Sequence, residues 1–224
     1  MNMRSRRQTQ SGSTILELAL VFPCLTLLFF GTVGLGIMMG RYSQAVQVAR
    51  DVAHMYSDGV DFTQTSNQNI VINQLASGTG MTATGGNGVV ILSQIQTVYT
   101  ADCTAAGVSP CTNANLPVFI QRISFGNASL RTGQYGNPSS TILDAEGNIA
   151  QSVYMSNSNA TVRTTGFETA LDSAVQRATG TAPTPPAQAQ GEVAYVVEVC
   201  FQYPDIAFLG WSTTGGAYAS FIYH

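Results

Sequence analysis

Three residues near the N-terminus have the types and spacing of a proteolytic processing site. Gly12 precedes Ser13, and Glu17 is the fifth residue counted from Ser13. A cut between Gly12 and Ser13 would create an α-amine four residues before the Glu17 carboxylate, about 6 Å away along a helix axis. That amine, in the same chain or in a neighbouring one, would offset the cost of placing a carboxylate beside an apolar segment. The alternative is that Glu17 is simply hydrated at the headgroup level of a membrane.

The segment that follows predicts a membrane span. Leu18 to Met39 is a run of 22 residues without a charged side chain. As a helix it would be about 33 Å long, which matches a hydrocarbon core of about 30 Å. A secretory signal has only about 7 to 15 apolar residues, followed by its cleavage site. Here the run is longer and the small residue suited to cleavage precedes it, so we expect a span at about residues 18–39.

The arginines predict the orientation of this span. Arg4, Arg6 and Arg7 precede it, whereas only Arg41 and Arg50 follow it closely. Positive charge is retained on the cytoplasmic side, so we expect the remaining chain to be exported. The predicted organisation is a cleaved basic leader at residues 1–12, an N-terminal helix at 13–57 and an exported head at 58–224.

The N-terminal segment resembles that of a known family. From Gly12 to about Ser57 it is similar to TadE-like pilus assembly proteins, relatives of type IV prepilins. The acidic and apolar run Leu16–Pro23 and the segment Ala49–His54 carry the resemblance, together with Gly12 and Glu17. The resemblance implies that a prepilin peptidase cuts after Gly12 and that Glu17 assists docking to a neighbouring subunit.

The resemblance also implies a function. It indicates a minor pilin or pseudopilin of a tight-adherence, Flp or type IVb-like pilus used for surface attachment. The implied partners are the peptidase, an inner-membrane pilus platform, a major pilin and other minor pilins. The implied location is the inner membrane, with the N-terminus in the cytoplasm and the head in the periplasm or in an extracellular pilus. Two alternatives are a pseudopilin of a type II secretion apparatus and an enzyme or binding domain on an uncut signal anchor.

Three residues of the span are candidates for helix packing and assembly. Pro23 removes an amide donor inside the helix, and a kink there could help the helix leave the bilayer and pack in a filament. Gly36 and Gly40 have the Gly-x-x-x-Gly spacing that permits close helix approach. Ordinary membrane composition explains all three equally well.

The helix is predicted to continue beyond the bilayer as an amphipathic segment. Its apolar stripe consists of Tyr42, Ala45, Val46, Ala49, Val52, Ala53 and Tyr56, at steps of three and four residues. We expect this stripe to cover the protein's own sheet. Asp58-Gly59 is a plausible stop.

The head is predicted to be α+β, with a small and mostly antiparallel sheet. The strand signals are Val89–Val98, Val118–Phe125, Val193–Tyr203 and an edge or closing strand at Tyr218–Tyr223. In the third of these, alternate residues from Val193 to Tyr203 form a core face, which leaves Glu198 and Gln202 on the other face.

Weaker signals fill the rest of the head. Thr165 to Glu168 has the pattern of a capping box that opens a short helix. Residues 181–190 are predicted to be an extended Pro-rich connector with little to bury. The polar stretch Gly126–Ala160 is predicted to be loop with one or two short strands.

The cysteines favour an oxidising compartment. Cys103 and Cys111 flank a polar segment and are the candidate disulfide; Cys24 lies in the span. Cys200 would remain a buried thiol, although its pairing with Cys103 or Cys111 stays open. No pair has Cys-x-x-Cys spacing, so we expect no metal site.

Composition argues against catalysis and nucleic-acid binding. The chain has nine arginines, no lysine and 12 acidic residues, and no basic cluster follows the leader. The histidines, His54 and His224, are poorly placed to serve a nucleophile. We expect no enzyme activity, cofactor, small-molecule substrate or nucleic-acid partner.

Overall fold

The longest element is a helix, α1, which runs from Ser11 to Ser57 and contains Pro23. The structure, a computed structural model, describes residues 11–181, 188–203 and 215–223. The chain divides between Arg41 and Tyr42 into two compact units. The second unit, which we call the head unit, therefore includes the last part of α1. Asp58 N donates to His54 O, and Gly59 has a φ of 85°, so the backbone turns out of the helix at this point.

The remaining elements of the head unit alternate between short helices and strands. In chain order they are α2 (Thr65–Ile70), a π-helical turn (Val71–Leu75), β1 (Met81–Thr82), β2 (Gly85–Gly86), β3 (Gly88–Val98), α3 (Thr100–Ala106), β4 (Leu116–Gly126), a 3₁₀ turn (Ser140–Ile142), α4 (Gln151–Ser156), a 3₁₀ turn (Ser158–Ala160), α5 (Thr164–Thr179), β5 (Val193–Tyr203) and β6 (Gly215–Tyr223). The predicted class, a long apolar helix on a small antiparallel sheet, is confirmed. All four predicted strands are present.

The main sheet has four antiparallel strands in the order β4-β3-β5-β6. Val90 pairs with Phe125 of β4 and with Val199 of β5, and Val199 pairs in turn with Ala219 of β6. The β3–β4 register shifts after Gln94, so that β4 contains one additional residue there. Such a bulge bends the strand and increases its twist. β1 and β2 form a separate small hairpin.

The second half of α1 packs on one face of this sheet, as the apolar stripe predicted. Its buried residues are Ala45, Val48, Ala49, Val52, Ala53 and Tyr56, in one cluster with Val90, Leu92, Val197, Val199 and Phe201. Two details of the predicted stripe are wrong. Tyr42 remains 57% exposed, because the contact with the sheet begins only at Ala45, and Val48 belongs to the stripe although it was not predicted.

The opposite face of the sheet is also buried, which the alternation of residues in β5 did not predict. The cluster on this face contains Ile95, Phe119, Ala194, Val196 and Ile222, and α5 contributes Phe167, Leu171 and Ala174. A strand covered on both faces has no solvent face, so its polar residues can be core residues. Glu198, predicted to lie opposite the core face, is in fact 1% exposed, whereas Gln202 is exposed.

Helix α5 is the short helix that was predicted, but it lacks the predicted cap. Its N-cap residue is Arg163, which makes no side-chain cap hydrogen bond, and Gly180 ends the helix with φ 74°. Thr165 therefore lies inside the helix, and the predicted capping box from Thr165 to Glu168 is wrong.

The outer edge of β4 is closed by other parts of the chain. Arg122 N donates to Gly147 O, Ile149 N donates to Ile120 O, and Val162 N donates to Pro117 O. These bonds come from the stretch between β4 and α5, which was predicted to be loop with short strands. It contains short helical turns instead, with isolated bridges at Asn148 and Thr161, and it contributes Tyr135, Ile149 and Met155 to the core.

Cys103 and Cys111 are joined by a disulfide, with their Cα atoms 5.9 Å apart. The segment between them is not all loop, because α3 contains Cys103 and extends to Ala106. Cys200 is a free thiol and is half-buried.

The predicted connector at residues 181–190 lies partly outside the described residues. The expectation that this connector has little to bury is wrong at Gln188. This side chain is fully buried, donates to Ile95 O at 2.8 Å and accepts from Thr97 Oγ1 at 2.9 Å.

Candidate assembly site on the N-terminal helix

The predicted processing residues all lie in the helical backbone of α1. Gly12 and Ser13 are the second and third residues of the part of α1 that the structure describes, which starts at Ser11. Their roles in processing stay a prediction.

The helical backbone places residue 13 one turn before Glu17. Residues four apart lie on the same face of a helix, with neighbouring Cβ atoms about 5–6 Å apart. The side chain of Glu17 is exposed on this face. A positive group at residue 13 would therefore share a face with the Glu17 carboxylate, in this chain or towards an adjacent helix.

The first half of α1 has an apolar and uncovered surface. From Leu16 to Gly40 only Thr26 and Gly34 are partly covered, and large apolar side chains such as Leu16 and Met39 are 70% and 73% exposed. A fully exposed Leu or Phe costs about 1.5–3 kcal/mol in water relative to an apolar environment, so such a surface requires lipid or protein around it. Within the described residues, this is the one helix long and apolar enough to cross a membrane.

The two threonine hydroxyls of this segment are satisfied inside the helix. Thr26 Oγ1 donates to Phe22 O at 2.7 Å, and Thr32 Oγ1 donates to Phe29 O at 2.9 Å. In a bilayer no water is present to satisfy a hydroxyl, so these bonds suit an apolar surrounding. Pro23 lies in the same segment and leaves the carbonyl of residue 19 without its usual helical donor.

Gly36 and Gly40 leave one edge of the span open. A Cβ added at Gly36 or Gly40 would meet no atom within 4 Å, and the same holds for Gly31 and Gly34. At about 100° per residue, Gly36 and Gly40 lie about 100° to 140° around the helix from Glu17. A neighbour packed on the Gly36–Gly40 edge would thus approach a different side of the helix from one that contacts Glu17. Their role in helix packing stays a prediction.

A second polar site lies in the head unit, and sequence reasoning missed it. Glu198 Oε2 accepts from Gln134 N at 2.7 Å and from Tyr218 Oη at 3.0 Å. Arg122 Nη1 lies 3.9 Å from Glu198 Oε1, too far for a hydrogen bond, and donates to Ser93 Oγ at 2.7 Å. The signal that could have revealed this site was a single acid in an eleven-residue strand whose other residues, apart from Gln202, are apolar or aromatic.

The chemistry of this buried pair is structural. Burial lowers the pKa of Arg122 from its ordinary value, against the opposing attraction of Glu198. The pair lies between the sheet and the segment at residues 131–136, and a Cβ at Gly133 would lie 2.2 Å from Arg122 Nη2. Among the described residues no group of three or more His, Cys, Asp or Glu side chains is placed to hold a metal ion. The arrangement fastens a loop to the sheet.

Comparison with known proteins matches only the N-terminal helix. The family model described as TadE-like protein matches residues 12–54. The resemblance to TadE-like proteins is therefore confirmed over α1, and it suggests a role in the assembly of a tight-adherence pilus, with pilus proteins as partners and association with a membrane. No curated protein and no solved structure matches the chain.

Proposed function

We propose that this protein is a minor pilin or pseudopilin of a tight-adherence pilus. In this proposal a prepilin peptidase removes residues 1–12 and leaves Ser13 as the new N-terminus. Residues 13–57 then form the N-terminal helix, whose span holds the subunit in the inner membrane with the head, residues 58–224, on the periplasmic side. The platform, the major pilin and other minor pilins are its partners.

The observation that carries the proposal is the change in surface along α1. Met39 is 73% exposed, whereas Ala45, six residues later, is fully buried against the sheet. One helix is therefore bare and apolar in its first half and part of a folded core in its second. An ordinary signal peptide is removed, so its helix does not continue into the core of the mature protein. A subunit that is first held by the membrane and later packed through the same helix keeps that helix, which then continues into the core.

The position of Glu17 supports the proposal further. It lies at the start of the bare half, one helical turn after the residue that cleavage would make the N-terminus. The chain has no lysine, so the N-terminal α-amine is the sole amine that one copy can offer to a neighbouring Glu17. In a packed array of such helices, an ammonium and a carboxylate at this depth would neutralise each other.

The absence of lysine also provides a direct test of processing. An amine-reactive reagent applied to the protein extracted from membranes labels only the N-terminus, and mass analysis of the labelled peptide identifies that residue. We expect the label on Ser13 in cells with an active peptidase and on Met1 in cells without it. Gly12→Leu should remain uncut, whereas the matched variant Gly12→Ala, which keeps a small residue, should still be cut.

Every other result contradicts the proposal and indicates a different class of protein. A label on Met1 in peptidase-positive cells means an uncut signal anchor, and so favours an anchored enzyme or binding domain. A start after about residue 36 means removal of the whole span as a secretory signal. A start at Ser13, combined with lost protein secretion but normal pili in a deletion strain, identifies a type II secretion pseudopilin instead.

A further inference from the structure

The two outer edges of the main sheet differ. The edge at β4 is closed by main-chain bonds from the segment that follows it. The edge at β6 pairs with β5 from Tyr195–Tyr223 to Tyr203–Gly215 without a shift of register. Among the residues that the structure describes, β6 makes main-chain hydrogen bonds only with β5. In an antiparallel strand, N–H and C=O groups of alternate residues point away from the partner, so β6 presents a row of unpaired donors and acceptors.

Strand β6 also lacks the features that usually protect an edge. Natural edge strands are kept from pairing by charged side chains, prolines or bulges, or by being very short. β6 has nine residues and contains no charged residue and no proline. Its exposed residues, Gly216, Ser220 and Tyr223, are spread along the strand. The edge is therefore open to an added strand.

A basic side chain lies over β6 on each face of the sheet. On the face covered by α1, the guanidinium carbon of Arg50 lies 5.9 Å from the ring centre of Phe221. On the opposite face, the guanidinium carbon of Arg131 lies 3.6 Å from the ring centre of Tyr218. Phe221 and Tyr218 are three residues apart, so their side chains point to opposite faces. Positive charge thus flanks an uncharged edge on both sides.

These two guanidinium groups have no carboxylate partner within the described part of the chain. The one ion pair found there is between Arg122 and Glu198. Glu198 is buried and its Oε2 accepts from Tyr218 Oη, on the inner side of the ring that Arg131 covers. Yet the whole chain has 12 acidic residues and nine arginines. The positive charge at this edge is therefore a local feature that runs against the overall composition.

We propose that the outer edge of β6 binds an extended acidic segment of a partner protein, which adds to the main sheet as a fifth strand. Main-chain hydrogen bonds along β6 supply the affinity, as in other cases of strand addition. Neighbouring strands are about 4.8 Å apart, so carboxylates on the added strand lie within reach of Arg50 and Arg131. Because these arginines lie over opposite faces, the two carboxylates are three residues apart. All these groups belong to the head unit, and the proposal does not depend on the proposed function.

A second copy of this chain fits the edge less well. Its β6 is the one described edge strand of the main sheet that it could offer, because its β4 is closed. That strand carries no carboxylate for Arg50 or Arg131. The charge of the edge therefore favours a different chain.

The test uses the full chain in detergent micelles and the synthetic peptide TVEVTEVT, with its two glutamates three residues apart. Peptide affinity is measured by fluorescence anisotropy, and the bound edge is located by hydrogen exchange of the main-chain amides. We expect alternate amides at residues 216–223 to exchange at least about tenfold more slowly with the peptide bound, and those at residues 118–125 of β4 to be unchanged. The peptide TVQVTQVT should bind about fivefold more weakly. The acidic peptide with N-methyl groups on its three valines should not bind, because both of its edges are disrupted.

A matched pair of variants tests the charge. Arg50→Gln should weaken binding of the acidic peptide about threefold and leave that of the glutamine peptide unchanged. Arg163→Gln is the control, since Arg163 is exposed and follows Val162, which bonds to β4 at the other edge of the sheet. It should change neither affinity.

Several results would overturn the inference. These are no binding of the acidic peptide, binding without protection of the β6 amides, and equal binding of the N-methylated peptide. Equal affinity for the acidic and glutamine peptides would show that the edge does not select carboxylates. Protection of the β6 amides that rises with protein concentration, without peptide, would identify a second copy as the occupant. None of these results changes the N-terminal residue found by amine labelling, so the proposed function is tested separately.

Discussion

The hydroxyl of Tyr56 donates to Oε1 of Gln121 at 2.7 Å and so joins the last turn of α1 to strand β4. Both groups lie in or beside the core, since Tyr56 is 4% exposed and stacks edge-on against Tyr195. Gln121 in turn donates from Nε2 to Asn148 Oδ1. The end of the helix, the sheet and the segment that closes β4 are thus connected through one amide.

Removing the hydroxyl should weaken this connection. Tyr56→Phe keeps the ring but leaves the Gln121 oxygen without its donor, so we expect a loss of about 1–3 kcal/mol in the free energy of unfolding. Chemical denaturation of the full chain in detergent micelles, followed by near-ultraviolet circular dichroism, measures it. Tyr42→Phe, at an exposed position of the same helix, should change nothing; equal effects at the two sites would contradict the assignment.

Alkaline pH should destabilise the head unit. Burial raises the pKa of Tyr56 above its ordinary value of 10.0, and burial together with the Glu198 carboxylate raises that of Tyr218. The folded state then holds these protons more tightly than the unfolded state. Stability is fully present below about pH 10 and falls as pH rises through the folded values, by up to about 1.4 kcal/mol per pH unit for Tyr56.

Denaturation midpoints measured from pH 8 to pH 12 test this dependence. Tyr56→Phe should lower the stability at pH 8. It should also reduce the loss of stability with rising pH, because one tyrosine with a raised pKa has been removed. A slope as steep in the variant as in the parent protein would show that Tyr56 does not cause it.

Loss of the buried carboxylate should cost more than loss of an exposed one. Glu198→Gln leaves the Arg122 guanidinium without a counter-charge in the core, for which we expect about 3–5 kcal/mol of destabilisation. Glu168→Gln, at an exposed position of α5, should fall within about 0.5 kcal/mol of the parent protein. The double variant Glu198→Gln with Arg122→Met should recover part of the lost free energy of unfolding. If the effects of the two single substitutions simply add, the two side chains are not coupled.

The two adjacent glycines of strand β2 should respond differently to alanine. Gly86 has φ 76°, and a Cβ there would lie 2.2 Å from Gly80 O, whereas the nearest atom to a Cβ at Gly85 is Thr82 Oγ1 at 3.5 Å. We expect Gly86→Ala to cost about 1–3 kcal/mol and Gly85→Ala much less. Hydrogen exchange of the amides at residues 80–88 measures the difference, and equal protection in both variants would contradict it.

Glu17→Val should separate processing from assembly. We expect normal cleavage and export, because the scissile bond and the span are unchanged, but at least about a tenfold loss of surface pili, since a missing partner in a desolvated ion pair costs about 3 kcal/mol or more. Immunogold counting of pili, with processing checked by the N-terminal label, gives the result. Glu17→Asp keeps the charge and should retain more assembly; unaffected piliation in Glu17→Val would remove Glu17 from this role.

The sequence predicted the long-range plan of the fold because that plan follows from apolar periodicity. The α1 stripe and the strands β3, β4, β5 and β6 were found in this way. The buried environment of Glu198 could not be predicted from the sequence. The alternation of residues in a strand is the same whether its second face is exposed to water or covered by α5. Helices α2 and α3 were missed, since segments of six or seven residues are too short to carry a periodic apolar signal and are ordered by tertiary contacts. The predicted cap of α5 was wrong because the helix begins before Thr165, with Arg163 at the N-cap position.

The site was predicted from the types of its residues, not from their surroundings. Gly12, Ser13 and Glu17 were identified by charge and spacing alone, and the family match to residues 12–54 covers them. No pattern in the chain predicted the contact between Gln44 and Ser77, because the two residues are 33 positions apart.

The closed outer edge of β4 limits how this protein can polymerise. Gly147, Ile149 and Val162 occupy main-chain positions of β4 to which the strand of another molecule would otherwise add. Lateral growth of the sheet in the manner of amyloid is blocked on that side. Any fibre that the subunit enters must therefore gain its cohesion elsewhere than at this edge. Under the proposed function, the bare first half of α1 is the surface that provides it.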